Sequence, residues 1–205
     1  MKVTLIPAGT SMKDPEAHIG HMAAICYDSD TSDDACRRLA NKCKDSGHLA
    51  TMRFAFATFN VSEISRICSH QIVRMAHAGL LQRSQRYVKE TGVRFIRPPA
   101  LLAMPIEMQD RWEALENESA SLYLAAIAAG MKKEDARYSL LHSAETELNM
   151  CLNFQAWQDF LRNRTYKAAQ WEVREVALEI QRQLHELAPN LFPLPKNEAV
   201  QNAAG

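Results

Sequence analysis

Between Gln71 and Arg97 the chain carries six cations, Arg74, Arg83, Arg86, Lys89, Arg94 and Arg97, against one anion, Glu90. Gln82, Ser84 and Gln85 lie among them, so guanidinium forks alternate with amide and hydroxyl donors in a stretch that has no regular periodicity. Planar forks and hydroxyls side by side are suited to multidentate phosphate binding, and a phosphorylated small molecule is the ligand that fits. A solvated basic loop, or a set of surface ion pairs, fits the same residues and is the commoner arrangement when such a stretch stands alone. A second cluster, Arg162, Arg164 and Lys167, precedes Gln170-Trp171-Glu172 and could close over the same ligand. Equally, cations near a helix C-terminus stabilise that end through its dipole. Arg137 follows Glu134 and Asp135 and reads, on spacing alone, as a partner in a helix-surface ion pair.

Other chemistry is thinner. His18 and His21 could share a helical face, but no Cys, Asp or Glu completes a metal-ligand pattern around them. The chain has no Gly-rich phosphate loop, H-E-x-x-H, G-x-S-x-G or C-x-x-C. Ser84 has no His/Asp relay visible in the sequence, so a serine nucleophile is unsupported. Cys68 and Cys151 sit among apolar residues and read as core. The cysteines number five, an odd count without paired spacing, which favours reduced thiols and a reducing, cytoplasmic compartment.

These residues must be positioned by elements whose periods are readable. Residues 2–7 form an expected first strand, and Asp14-Pro15-Glu16 opens a helix through Tyr27. Ser32 or Asp33 caps a second helix that ends at Ser46-Gly47. Residues 54–61 read as a strand. Ser62 and Glu63 open a further helix whose apolar face is Ile64, Ile67, Cys68, Ile72 and Met75, with Gln71 and Arg74 at its C-terminal end. The period stops from His77 to Val88, and a strand is expected at 93–96, stopped by Pro98-Pro99. A long helix follows over 107–129, with Trp112, Leu115, Leu122, Ala126 and Ala129 inward and Gly130 as its terminator. Residues 133–141 suggest a helix, 146–152 a strand and 155–162 a short helix. In the last helix, Val173, Val176, Ala177, Ile180, Leu184 and Leu187 fall at offsets 0, 3, 4, 7, 11 and 14 before Pro189.

Few strands among long helices imply an α+β fold, a small and mostly antiparallel sheet packed with helices. With 24 basic and 24 acidic residues among 205, the formal charge is zero, which offers no broad basic footprint for nucleic acid or a membrane surface. Hydrophobic residues at 47% and charged residues at 23% exclude a disordered chain. The start lacks a long apolar run, and no stretch approaches the roughly 18 apolar residues of a membrane span. One domain over 1–193 with a flexible tail over 194–205 is expected.

The stretch SRICSHQIVRMAHAGLLQRSQRYV, residues 65–88, resembles the signature of the flavin-dependent thymidylate synthases. That signature is an Arg-His-Arg triplet, then Ser, then Arg-Tyr, preceded by Cys-x-His-Gln; Cys68, His70, Gln71, Arg74, Ser84, Arg86 and Tyr87 are in register with it. Ser46-Gly47-His48, EDARYSLLHSAETEL and LRNRTYKAAQWEVREVA resemble three further segments of the family in the same order. The resemblance implies a homotetramer that makes dTMP from dUMP at sites between subunits. Methylenetetrahydrofolate gives the carbon, reduced FAD relays it and supplies hydride, and NADPH reduces the flavin. It further implies Gln71, Arg74, Gln82, Ser84, Arg86, Arg137 and Arg164 at a pyrimidine nucleoside monophosphate, with Ser84 and Arg164 assigned to catalysis. His48, Arg74 and Asn153 are implied at the flavin.

The departures are concentrated. Met75 and Ala76 replace the His and Arg of the triplet, and Gln82 replaces an acid. Ala50, Arg53 and Phe54 replace a hydroxyl residue, Glu and His, while Phe154-Gln155 replace Ala-Arg beside Asn153. Losing two flavin contacts at about 1.5–3 kcal/mol each weakens binding by roughly two to four orders of magnitude unless His77 or Arg53 compensates. Two alternatives follow from the lopsided loss: a pyrimidine nucleotide hydroxymethylase that adds water in place of hydride, and a catalytically silent nucleotide-binding homologue.

Overall fold

Alternation along two strands sets the sheet. Ala57, Phe59 and Val61 are buried on one strand and Thr146, Leu148, Met150 and Leu152 on another, each separated by a less buried residue, the period of a sheet with one face in the core. In the computed structural model, which describes residues 1–7, 13–76 and 78–194, these are β2 (Phe56–Ser65) and β4 (Glu145–Asn153). With β1 (Lys2–Leu5) and β3 (Gly79–Gln82) they form one four-stranded sheet of order β1-β2-β4-β3. Its neighbours run antiparallel. Met1 pairs with Glu63 and Ile6 donates to Thr58; Asn60 meets Asn149 and Phe154 donates to Ala55; Arg83 donates to Glu147 while Gly79 lies beside Cys151. The helices are α1 (Pro15–Ala24), α2 (Asp33–Asp45), α3 (Arg66–Ile72), α4 (Ile106–Ala128), α5 (Lys133–Ala136), α6 (Phe154–Arg164) and α7 (Trp171–Leu187). His77, named above as a possible flavin contact, and tail residues 195–205 lie outside the described residues.

The chain packs as two compact units, and β2 and β4 are divided between them. The first holds residues 1–2, 61–74 and 80–148. Its helical core is Tyr123, Ala136 and Leu140, with Val93, Ala126 and Ile127 packed against them. The second takes the remaining described residues. There Trp157 meets Phe59 and Phe160 edge-on at 5.1 and 5.7 Å between ring centroids, and its Nε1 donates to Ala57 O at 3.0 Å. The apolar stripe of α7 is buried from Val173 to Leu184 as its spacing requires. Gly20 on α1 faces the Cys36 backbone of α2 so closely that a Cβ there would collide with the carbonyl. Gly47, at φ 77°, and Gly130, at φ 91°, follow α2 and α4 in the left-handed conformation that glycine tolerates.

Several boundaries differ from the sequence expectation. β2 continues through Ser62 and Glu63, and the cap of α3 is Ser65, whose Oγ accepts from Cys68 N at 3.0 Å. Ile64 is therefore a strand residue, and Ile67 points outward. β3 falls inside the stretch that lacks periodicity, because four residues are too few to show one. At 93–96 only an isolated bridge forms, Phe95 to Ala144. α5 ends at Ala136 and passes into a 3₁₀ turn, Arg137–Ser139. α4 is only partly as expected: Ala126 packs inward and Trp112 is half-buried, but the buried residues are Glu116, Ser119 and Tyr123, while Ala129 is exposed and Leu115 and Leu122 are more than half exposed at 54% and 53%. The three buried polar residues are each bonded, although Glu116 Oε1 and the nearby Trp112 Nε1 are buried without a partner. Arg97 donates to Glu116, Ser119 bridges Ser139 O and Leu141 N, and Tyr123 accepts from Glu90 N. Counting apolar residues alone cannot see such a face. Of the five cysteines, all free, Cys26 is exposed rather than core.

Candidate functional site

In the first unit the cap at Ser65 starts α3, and the helix ends at Ile72, leaving Gln71 half-buried in its last turn and Arg74 exposed just beyond. β3 carries Gln82, whose Nε2 donates to Ser69 Oγ at 2.9 Å and Thr146 Oγ1 at 3.1 Å. The chain then turns at Ser84, whose Oγ accepts from the backbone N–H of Arg86 at 3.2 Å and Tyr87 at 3.4 Å. With its lone pairs engaged, that hydroxyl keeps its proton to donate. Arg86 lies over the Tyr87 ring at 5.4 Å and donates from Nε to Glu134 Oε2 at 2.6 Å. Arg137 donates from Nε to the Glu134 carbonyl oxygen at 3.1 Å, and Lys133 Nζ to Tyr87 O at 2.7 Å. Arg86, two residues beyond Ser84, and Arg137, distant from both in sequence, thus meet at Glu134. Both arginines are held through Nε, which leaves their Nη edges for an oxyanion.

Arg83 pairs with Glu90 of the same stretch, and acids from elsewhere in the chain answer two more of its cations, Arg94 through Glu145 and Arg97 through Glu113 and Glu116. These three are structural or surface pairs, the commoner of the two arrangements considered above. Gln85, grouped above with the phosphate donors, is 6% exposed and belongs to the interior.

Two residues of this unit escape sequence reasoning. Glu134 had only its place before Arg137 as a signal. Arg66, in the run SRICSHQ, is half-buried, and its Nη1 is buried with no hydrogen-bond partner. Burial first, and the charge of Arg137 second, push its guanidinium below the usual arginine range, while Glu90 acts in the opposite sense.

In the second unit, His48 precedes a 3₁₀ turn, Leu49–Phe54, and its Nδ1 lies 3.0 Å from Tyr27 Oη. Asn153 caps α6, its Oδ1 accepting from Ala156 N at 2.9 Å. Arg53, the next-to-last residue of the 3₁₀ turn, donates from Nε to Gln155 Oε1 at 2.6 Å. Arg53, Met75, Ala76, Asn153, Gln155, Ala156 and Asp159 line a pocket of about 480 Å³. Four of the positions that depart from the family pattern, 53, 75, 76 and 155, therefore share one cavity. Arg164 is the last residue of α6 and is half-buried. Among the described residues no cluster of His, Cys, Asp or Glu could hold a metal, and no helix is long and apolar enough to cross a membrane.

A family model described as "Thymidylate synthase complementing protein" matches residues 9–190. A flavin-dependent thymidylate synthase of Geobacter sulfurreducens is 32% identical over 201 residues, covering 94% of this chain and 85% of that protein. Proteins of the same name from Thermococcus onnurineus and Clostridium tetani are 32% and 30% identical, each covering 87% of this chain and 76% and 81% of their own lengths.

Proposed function

The chain belongs to the thymidylate synthase complementing protein family, and from that premise we propose that it is a transferase converting dUMP to dTMP, with methylenetetrahydrofolate as carbon donor and NADPH as reductant of the flavin. The reading is carried by the family match across residues 9–190, which contains every residue of both candidate sites. FAD, when bound, supplies the carbon relay and the hydride. The second-unit pocket suits such a group: Met75, Ala76 and Ala156 offer an apolar wall, Arg53, Asn153 and Gln155 offer donors, and its size lies in the range of about 300–1,000 Å³ usual for small-molecule sites. His48, Arg74 and Asn153 are the residues assigned to the flavin.

The chain's own residues act by binding and polarising. Ser84 Oγ–H and the Nη edges of Arg86 and Arg137 hold the nucleotide phosphate through charge-assisted bonds, with Gln71, Arg74 and Gln82 lining the nucleotide. Arg164 orients the pyrimidine and stabilises charge that develops on it, so the rate derives from positioning and electrostatics. No step is assigned to a side-chain nucleophile: Cys68 is fully buried, and Ser84 Oγ is bonded by backbone N–H groups. The same reading assembles the active enzyme as a homotetramer.

The test combines the absorption spectrum of freshly purified protein with mass spectrometry of the product formed from dUMP and methylenetetrahydrofolate. A flavin spectrum and a methylated product are expected. A product heavier by one oxygen, made without NADPH, points to the hydroxymethylase, and unmodified dUMP with tight nucleotide binding points to the silent homologue.

A further inference from the structure

We propose that Arg53 and Gln155 form an anion-reading clamp for the phosphate-bearing end of the ligand in the second-unit pocket, with Arg53 as its specificity-determining cation. The ring that accompanies the phosphate is taken from the flavin reading above; the anion is argued from the geometry.

Both arms of the clamp stand on well-seated elements. The 3₁₀ turn that carries Arg53 is anchored by Met52, fully buried, and by Thr51, 6% exposed, whose Oγ1 donates to His48 O at 3.0 Å. Gln155 is the second residue of α6, which is fixed by the buried Phe154 and Trp157. The 2.6 Å bond from Arg53 Nε to Gln155 Oε1 sets the plane of the guanidinium. An arginine only donates, so the carboxamide oxygen faces it and the amide NH₂ of Gln155 is turned away with both protons available. Among the described residues the two Nη groups of Arg53 have no protein partner. Asn153 gives its Oδ1 to the Ala156 N–H, which leaves its own NH₂.

The polar groups that Arg53, Gln155 and Asn153 leave available to the pocket are donors. Asp159, the one acid in the lining, is drawn to Arg162 at 3.1 Å. Two Nη groups and two amide NH₂ groups outnumber the oxygens of a carboxylate and match the terminal oxygens of a phosphate or diphosphate. The wall of Met75, Ala76 and Ala156 offers no polar side chain, so the anion must be attached to an apolar or planar body.

This also explains the exchanged residue types. The family pattern sets an acid at position 53 and an arginine at 155; here an arginine stands at 53 with an amide at 155, and the two side chains touch. The guanidinium of the pocket is relocated across this contact.

Calorimetry and flavin-fluorescence titration of the whole protein with FAD, riboflavin and inorganic pyrophosphate provide the test, using the unaltered chain, Arg53→Gln and Arg53→Lys. Expected on the unaltered chain is FAD binding that pyrophosphate competes away. Arg53→Gln should weaken FAD and pyrophosphate by roughly 10- to 100-fold and leave riboflavin unchanged, with Arg53→Lys in between because it keeps the charge without the fork. Equal losses of FAD and riboflavin, or a pyrophosphate affinity indifferent to Arg53, overturn the clamp. So does an unaltered chain that binds FAD without competition from pyrophosphate, a result that needs no variant to fold; binding of neither probe overturns it as well. Pyrophosphate binding that depends on Arg53, with no flavin of any kind bound, removes the flavin reading and leaves the clamp standing.

Discussion

Arg66 is held where its charge is least welcome. Its Nη1 is buried without a partner, and both burial and the neighbouring Arg137 oppose its protonated form. An unsatisfied buried charge destabilises a fold, and replacing one by an apolar side chain of similar length is commonly neutral or stabilising. We therefore expect Arg66→Met to hold or raise the Tm. If Arg137 binds the nucleotide phosphate, an anion there would satisfy both guanidinium groups, and the same substitution should weaken dUMP binding by about tenfold or more, the effect of losing one charge-assisted bond. A thermal scan beside a dUMP titration checks both; a large fall in Tm with unchanged nucleotide affinity would make Arg66 structural. At this scale the sequence was informative where chemistry is local: Ser84 and Arg86 lie two residues apart, and their turn was legible as a donor segment. Glu134 and Gln155 were not, because what matters about them is which distant arginine each one touches.

Elements were legible in proportion to their length and to the purity of their pattern. α7 and β4 show an undiluted period and appear within two residues of the expected limits. α4 failed because its buried side is polar, with Glu116 and Ser119 inward, so the leucines that seemed to mark the core mark the outside. The contact of α1 with α2 depends on something no hydrophobic pattern records, the missing side chain of Gly20 against the Cys36 backbone. A backbone carbonyl cannot move aside as a flexible side chain can. Gly20→Ala should therefore cost about 3 kcal/mol, the upper end of overpacking, and lower the Tm by roughly 6–12 °C. Gly92 has open space around its Cβ position and no positive φ, so Gly92→Ala is the matched control and should shift the Tm by only a degree or two. Equal shifts in the two thermal scans would show that the close approach of α1 and α2 is not what glycine serves at position 20.

At the scale of the whole molecule, the question is what covers α4. Met108, Leu115 and Leu122 recur every seven residues on its outer side at 44%, 54% and 53% exposure, and Leu102, Met104 and Ile106 add 79%, 45% and 62% just before and at its start. Single exposed leucines are ordinary, but a stripe continued over this many turns marks an association surface. The seven-residue recurrence is the spacing by which one helix seats against another. The homotetramer proposed above gives that stripe an occupant, a second copy of this chain. Because the inward face of α4 holds its own contacts through Glu116, Ser119 and Tyr123, the outer leucines can be altered without touching the core. Leu115→Glu with Leu122→Glu should keep the folded far-ultraviolet signature while light scattering reports a species smaller than the unaltered assembly. Synthase activity should fall with the mass, since the proposed sites lie between subunits. An unchanged mass for the double variant would assign the stripe to some other use and leave the assembly to be built through a different face.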